Sequence, residues 1–90
     1  MTAYRLAVVQ PAARMIEQRL PEPVAFAVLE FINGALLENP HRVGKRLGSE
    51  LAGAWSARRG TYRVISTIDE EAREVVVLHV DHRRNVYRPR

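Results

Sequence analysis

The sequence predicts an α+β fold: an N-terminal strand and a two-helix hairpin packed on one face of a curved, mainly antiparallel four-stranded sheet. Three observations carry the prediction. Residues 4–9 are short and rich in branched apolar side chains. Between Pro11 and Leu36 apolar residues recur at three- and four-residue spacing. After residue 53 the period falls to two, with brief polar interruptions.

The first strand, 4–9 (YRLAVV), closes at Gln10-Pro11, because Pro cannot extend a ladder from the middle of a sheet. Pro suits the first turn of a helix, and Ala12, Ile16 and Leu20 then form one apolar stripe. Pro21-Glu22-Pro23 interrupts it, since Pro lacks the donor that a helix interior needs and restricts the residue before it. The second helix carries Val24, Val28, Phe31, Ile32 and Ala35, widened by Leu29 and Leu36, so a broad face should pack on a sheet. Asn33-Gly34 weakens its last turn by about 1 kcal/mol relative to Ala, and Asn39-Pro40 ends it.

Residues 41–52 read as a basic loop punctuated by glycine, with Arg42, Lys45 and Arg46 exposed as a solvated linker or as a rim that touches phosphate. Residues 54–57 make a brief strand with Trp55, and Arg58-Arg59-Gly60 a turn. Residues 61–68 form a strand with Tyr62, Val64, Ser66 and Ile68 on one face and Arg63, Ile65 and Thr67 on the other. After a charged turn at 69–73, residues 74–80 are almost continuously apolar and suit a central strand. Short turns join these three as an antiparallel meander, and the first strand pairs beside the last.

The chain, residues 1–90, should form one domain, because a second core could not be built from what remained. With 47% hydrophobic residues but only two Phe, one Trp and three Tyr, that core must be mostly aliphatic. The absence of cysteine removes disulfides and thiolate metal sites, and three scattered histidines lack metal-ligand spacing. No cofactor is expected. Apolar runs too short for a bilayer and an N-terminus without a signal pattern make a cytoplasmic protein the simplest expectation. The formal net charge of +4 favours a polyanionic partner, either nucleic acid or an acidic protein.

Chemistry-bearing residues gather late in the chain. With helices on one side of the sheet, Arg63 projects from the other, with Arg58 and Arg59 at one flank and His82, Arg83, Arg84 and Tyr87 at the other. Arginine donates bidentate hydrogen bonds to phosphate and remains charged at any relevant pH. Such a cluster could hold an RNA backbone and stabilise the charge that develops when a phosphodiester is attacked. In RNA the nucleophile is the substrate's own 2′-hydroxyl, which needs a group to take its proton and another to protonate the departing 5′ oxygen. His82 and Tyr87 are the proton-transfer candidates, and Tyr87 could instead stack on a base. Each also has a structural reading: Tyr87 as a C-terminal anchor, His82 as an end-of-strand histidine, His79 as a mid-strand structural residue, and the arginines as solvated charge.

Residues 53–65 (GAWSARRGTYRVI) and 75–87 (VVVLHVDHRRNVY) closely resemble the RelE family of bacterial toxins, within the RelE/ParE superfamily of type II toxin–antitoxin systems. The helical hairpin, Asn39-Pro40, Gly44-Lys45 and Leu47 fit as well, so the resemblance covers essentially the whole chain. It implies a RelE-like fold and a ribosome-dependent mRNA endonuclease, an mRNA interferase that cuts in the ribosomal A site by metal-independent 2′-hydroxyl attack. It also implies a small antitoxin partner that silences the toxin and carries the complex to operator DNA. By the same resemblance Arg63 corresponds to the strand arginine that holds the scissile phosphate. Arg83 corresponds to the arginine that stabilises the phosphate or assists the leaving group, and Tyr87 to the tyrosine that orients or activates the 2′-hydroxyl. Arg58 falls where a basic residue is common, and His82 where some relatives carry an acid–base histidine. RNA or ribosome contact is expected from Arg58, Arg59, Arg84, Lys45, Arg46 and Arg42.

Two departures stand out. Ala54 and Ser56 occupy positions that are lysine in the best-studied members, which moves the proton-transfer assignment toward Tyr87 and His82, and Asp81 stands where glycine is common. Two other functions remain open on sequence: a ParE-like inhibitor of DNA gyrase on the same fold, and a non-catalytic basic module that binds an acidic partner.

Overall fold

A computed structural model of the protein describes residues 4–47 and 53–82. The elements run β1 (Arg5–Val8), α1 (Gln10–Arg14), α2 (Glu22–Phe31), α3 (Pro40–Val43), β2 (Lys45–Arg46), β3 (Ala54–Arg59), β4 (Tyr62–Asp69) and β5 (Glu74–His82). Each of the first two helices continues into a π-helical turn, Met15–Arg19 after α1 and Ile32–Leu36 after α2. Pro21 is the N-cap of α2, so the Pro-Glu-Pro break falls where the sequence puts it.

The strands form one sheet in the order β1-β5-β4-β3-β2. The sheet is antiparallel except for β1, which pairs parallel to β5 with Arg5 opposite Glu74 and Val8 opposite Val77. A parallel neighbour requires a crossover, and the helical hairpin supplies it. The expected pairing of first and last strands is therefore observed.

Three expectations about these elements need correction. The sheet has five strands instead of four, because Lys45 and Arg46 leave the predicted 41–52 loop to pair with Ser56 and Trp55. The same segment contains most of α3, which Asn39-Pro40 starts once the helical stretch that continues α2 has ended at residue 38. Arg58 and Arg59 lie in β3, opposite Arg63 and Tyr62, which leaves Gly60-Thr61 as a two-residue loop; Gly60 takes φ +54° there, a conformation that suits glycine. Asn33-Gly34 lies inside the second helical segment, which runs on to residue 38 before Asn39-Pro40, as expected. Ile32 and Leu36 on either side are buried, and the Asn33 side-chain amide donates to the Leu29 carbonyl, so tertiary packing outweighs the propensity cost.

One face of the sheet and the helices enclose the core. Ala12, Ile16 and Leu20 from the first helix and Val28, Phe31, Ile32 and Leu36 from the second pack on Ala57, Val64, Val75, Val77 and Val80. Each fully buried side chain of this size contributes roughly 1.5–3 kcal/mol. Leu29, expected to widen the buried stripe, is instead exposed beside Phe26.

Alternation along β5 is broken once. Ile65 pairs with His79 while Ser66 pairs with Val77, so Leu78 is an extra residue without a partner on β4. Such a bulge reverses the phase of every later side chain. Val75 and Val77 face the helices, and beyond Leu78 that role passes to Val80 and His82, which turns His79 and Asp81 to the opposite face.

Candidate functional site

The face of the sheet away from the helices carries a compact set of polar groups. Pairing sets Arg58, Arg63 and Asp81 in one row across β3, β4 and β5. Lys45, Ser56, Ile65 and His79 form the adjacent row across β2 to β5. Side chains directly opposite on one face have Cβ atoms about 4.5–5.5 Å apart, and diagonal neighbours lie within reach of long side chains. Three cations, Lys45, Arg58 and Arg63, therefore share a small patch.

The two arginines are not spent on carboxylates. Among the described residues neither Arg58 nor Arg63 forms an ion pair or side-chain hydrogen bond. Asp81, whose Cα partner is Arg63, instead accepts from His79: Nε2 lies 2.6 Å from Oδ1. Exposed guanidinium groups held side by side by backbone pairing suit a polyanion.

The other face receives residues that the sequence reading assigned to the site. The row Arg59, Tyr62, His82 faces the helices. His82 is only 6% exposed, so it does not stand beside Arg63. The cause is alternation: Arg63 pairs with Asp81, and the next pair, Tyr62 with His82, must point the opposite way. Arg59 stacks over the Phe31 ring at 4.7 Å, and the Tyr62 hydroxyl donates to the Ala27 carbonyl at 3.3 Å. Burial, opposed by the Arg59 cation and aided by Glu30, raises the Tyr62 pKa above its ordinary value.

Arg46 likewise turns to this side, over Trp55 at 6.0 Å. His41 meets Trp55 edge-on at 5.0 Å and lies 2.9 Å from Glu70, whose carboxylate also accepts from the Tyr4 hydroxyl. Burial and the Glu70 hydrogen bond raise the Tyr4 pKa, against the pull of Arg73. Arg42 is exposed on α3 and so is not part of the paired rows of the sheet. Arg83, Arg84 and Tyr87 lie outside the described residues.

His79 also lies on the open face, a placement the sequence did not show. Its setting in an apolar strand argued for a structural role, but the bulge makes it a half-exposed member of the cationic face, and no strict period-two reading could have shown that. Among the described residues no three His, Cys, Asp or Glu side chains gather as a metal site requires, and no helix is long and apolar enough to cross a membrane.

A helical hairpin on a mostly antiparallel sheet is the fold this chain shares with solved toxins of type II toxin–antitoxin systems. Residues 10–87 match a family model described as the ParE toxin of the type II toxin–antitoxin system parDE. Toxin RelE of Mycobacterium tuberculosis is 48% identical over 85 residues, 94% of this chain and 87% of that protein. Toxin RelG of the same organism is 53% identical over 76 residues, 84% of this chain and 87% of its own length. Among solved structures, the M. tuberculosis RelBE2 toxin–antitoxin complex aligns with a TM-score of 0.88 at 48% identity, covering 92% of this chain and 94% of that one. Isolated Escherichia coli RelE aligns at 0.72 with 20% identity over 89% and 84%, a likeness of fold. The chain belongs to the RelE family of toxins, in the RelE/ParE superfamily of type II toxin–antitoxin systems.

Proposed function

We propose that this toxin is a ribosome-dependent mRNA endoribonuclease and that a cognate antitoxin neutralises it. The observation that carries the reading is the pairing of Arg58 with Arg63 on the open face, with neither guanidinium engaged by a carboxylate among the described residues. Like charges directly opposite on a sheet cost stability, so two such arginines are better explained by a polyanion that occupies them.

In this reading Arg63 holds the scissile phosphate and stabilises its added charge in the transition state, while Arg58 and Lys45 grip the flanking backbone. Arg83 supports the phosphate or leaving group and Tyr87 orients the 2′-hydroxyl, roles that rest on the family resemblance. Arg84 and Arg42 extend the RNA or ribosome contact beyond the patch. His82, buried behind the sheet, is the weaker proton-transfer candidate. The 2′-hydroxyl is supplied by the substrate, so the chemistry needs no cofactor, and ribosomes set the cytoplasm as the site of action.

The antitoxin would contribute an acidic or amphipathic segment that orders on the toxin and covers its basic face, as disordered segments do when they fold on a partner. Operator DNA would be reached only through that complex.

Mapping mRNA 5′ ends on programmed ribosomes with and without the purified toxin tests the reading. New ends inside the A-site codon, absent when the same RNA is free, are expected. Intact ribosome-bound mRNA with accumulation of cleaved DNA–gyrase complexes would overturn it in favour of a ParE-like activity.

A further inference from the structure

Resting on the endoribonuclease reading, we infer that His79 is the general base of the site and that Asp81 is its positioning residue. The bulge at Leu78 brings both onto the open face, where Asp81 is the cross-strand partner of Arg63 and His79 sits diagonally from it, one row away. A sheet without that extra residue would turn His79 toward the helices along with Val75 and Val77. Bulges re-aim side chains in this way next to active sites.

The hydrogen bond fixes the chemistry of the ring. A carboxylate only accepts, so with Asp81 Oδ1 2.6 Å from His79 Nε2, it is Nε2 that carries the hydrogen. In the neutral ring Nδ1 then holds the lone pair and is free to take a proton. Carboxylates fix a single tautomer in other His–Asp pairs too, there by holding Nδ1–H and leaving Nε2 as the base, and they offset the positive charge that appears on the ring; here the two nitrogens exchange places. With side-chain exposures of 55% for His79 and 32% for Asp81, the pair is open to a ligand on this face.

The step balances as follows. Nδ1 removes the 2′-hydroxyl proton, the 2′ oxygen bonds to phosphorus, and the P–O5′ bond breaks with its electron pair leaving on the 5′ oxygen. That oxygen takes a proton from water, giving a 2′,3′-cyclic phosphate and a 5′-hydroxyl. The dyad thereby supplies a base on a face that has Ala54 and Ser56 where the best-studied relatives have lysines.

Single-turnover cleavage of mRNA on programmed ribosomes, with ribosome affinity measured separately, tests the inference. His79→Gln keeps a polar side chain of similar size but cannot take the proton, and it should slow cleavage by about 100-fold or more with affinity unchanged. Free imidazole should restore part of the rate of His79→Gly. Asp81→Asn should lower the rate constant without changing affinity, Asp81→Glu should recover part of it, and the His79→Gln/Asp81→Asn double variant should be no slower than His79→Gln, because the two act as a unit. A His79→Gln toxin that cuts at the wild-type rate, or a His79→Gly toxin that imidazole does not help, overturns the dyad while leaving the nuclease reading intact. A wild-type toxin that does not cut at all overturns both.

Discussion

Arg58→Gln should make the toxin more stable and less active. Arg58 stands directly opposite Arg63, and Lys45, paired with Ser56, lies diagonally from it on the same face. No carboxylate among the described residues pairs with Arg58. Two unit charges about 7 Å apart repel by about 0.6 kcal/mol in water, and screening at physiological salt reduces this. Cross-strand charge pairs fall in the same range, roughly 0.2–1 kcal/mol. The two repulsions together therefore set a gain of about 0.5 kcal/mol, or about 2–4 °C in melting temperature for a domain of this size. The gain should fade near 1 M salt, where the Debye length falls to about 3 Å. Loss of one charge-assisted phosphate contact, about 1.5 kcal/mol, should at the same time weaken binding to programmed ribosomes about tenfold. Thermal melts at low and high salt, beside a ribosome-binding titration, read both effects. A melting temperature that falls at low salt would show that the Arg58 side chain holds the fold together and would refute the reasoning.

Further outcomes follow from the same geometry. Gly60→Ala should destabilise the β3–β4 hairpin by about 1–2 kcal/mol, read as a shift of the denaturation midpoint, because φ is +54° there while space for a Cβ is open; the cost is backbone strain alone. Stability should hold up to about pH 10 and decline above it, since Tyr62 and Tyr4 have raised pKa values in the fold and the unfolded chain gives up those protons first. Tyr62→Phe should flatten that alkaline decline, as measured by urea midpoints across pH. Leu36→Ala, at a side chain 1% exposed, should cost roughly 2–5 kcal/mol in the same urea assay.

Much of the fold was legible because its signals are long and periodic. Ala12, Ile16 and Leu20 mark the first helix and Val28, Phe31 and Ile32 the second, and the Tyr62–Ile68 alternation faces the core as the pattern requires. The β2 strand was invisible, since a two-residue pairing of Lys45 and Arg46 leaves no periodic trace and depends on Ser56 and Trp55 across a chain reversal. Arg63 could be placed on the open face because strand parity on β4 is uninterrupted, whereas Arg58, expected in a turn, is set beside it by its pairing in β3. His79 and His82 lie on faces opposite to those that unbroken alternation from Val75 and Val77 would give them, for a single reason. One unpaired residue at Leu78 shifts the phase of β5, and no local signal in an apolar run of valines and leucine marks where the slip occurs. Arg59 and Arg46 were grouped with Arg58 and Lys45 by proximity in sequence, yet successive residues of a strand face opposite ways.

The measurement that bears most directly on the central claim is the single-turnover rate of mRNA cleavage on programmed ribosomes by wild-type toxin and by Arg63→Gln. If the open face is the catalytic face, the wild type cuts within the A-site codon and the variant is slower by about 100- to 1,000-fold, the usual loss when one preorganised transition-state donor is removed. The fold should survive, because Arg63 is exposed and lies outside the core. A folded Arg63→Gln toxin that cuts as fast as the wild type would contradict the account.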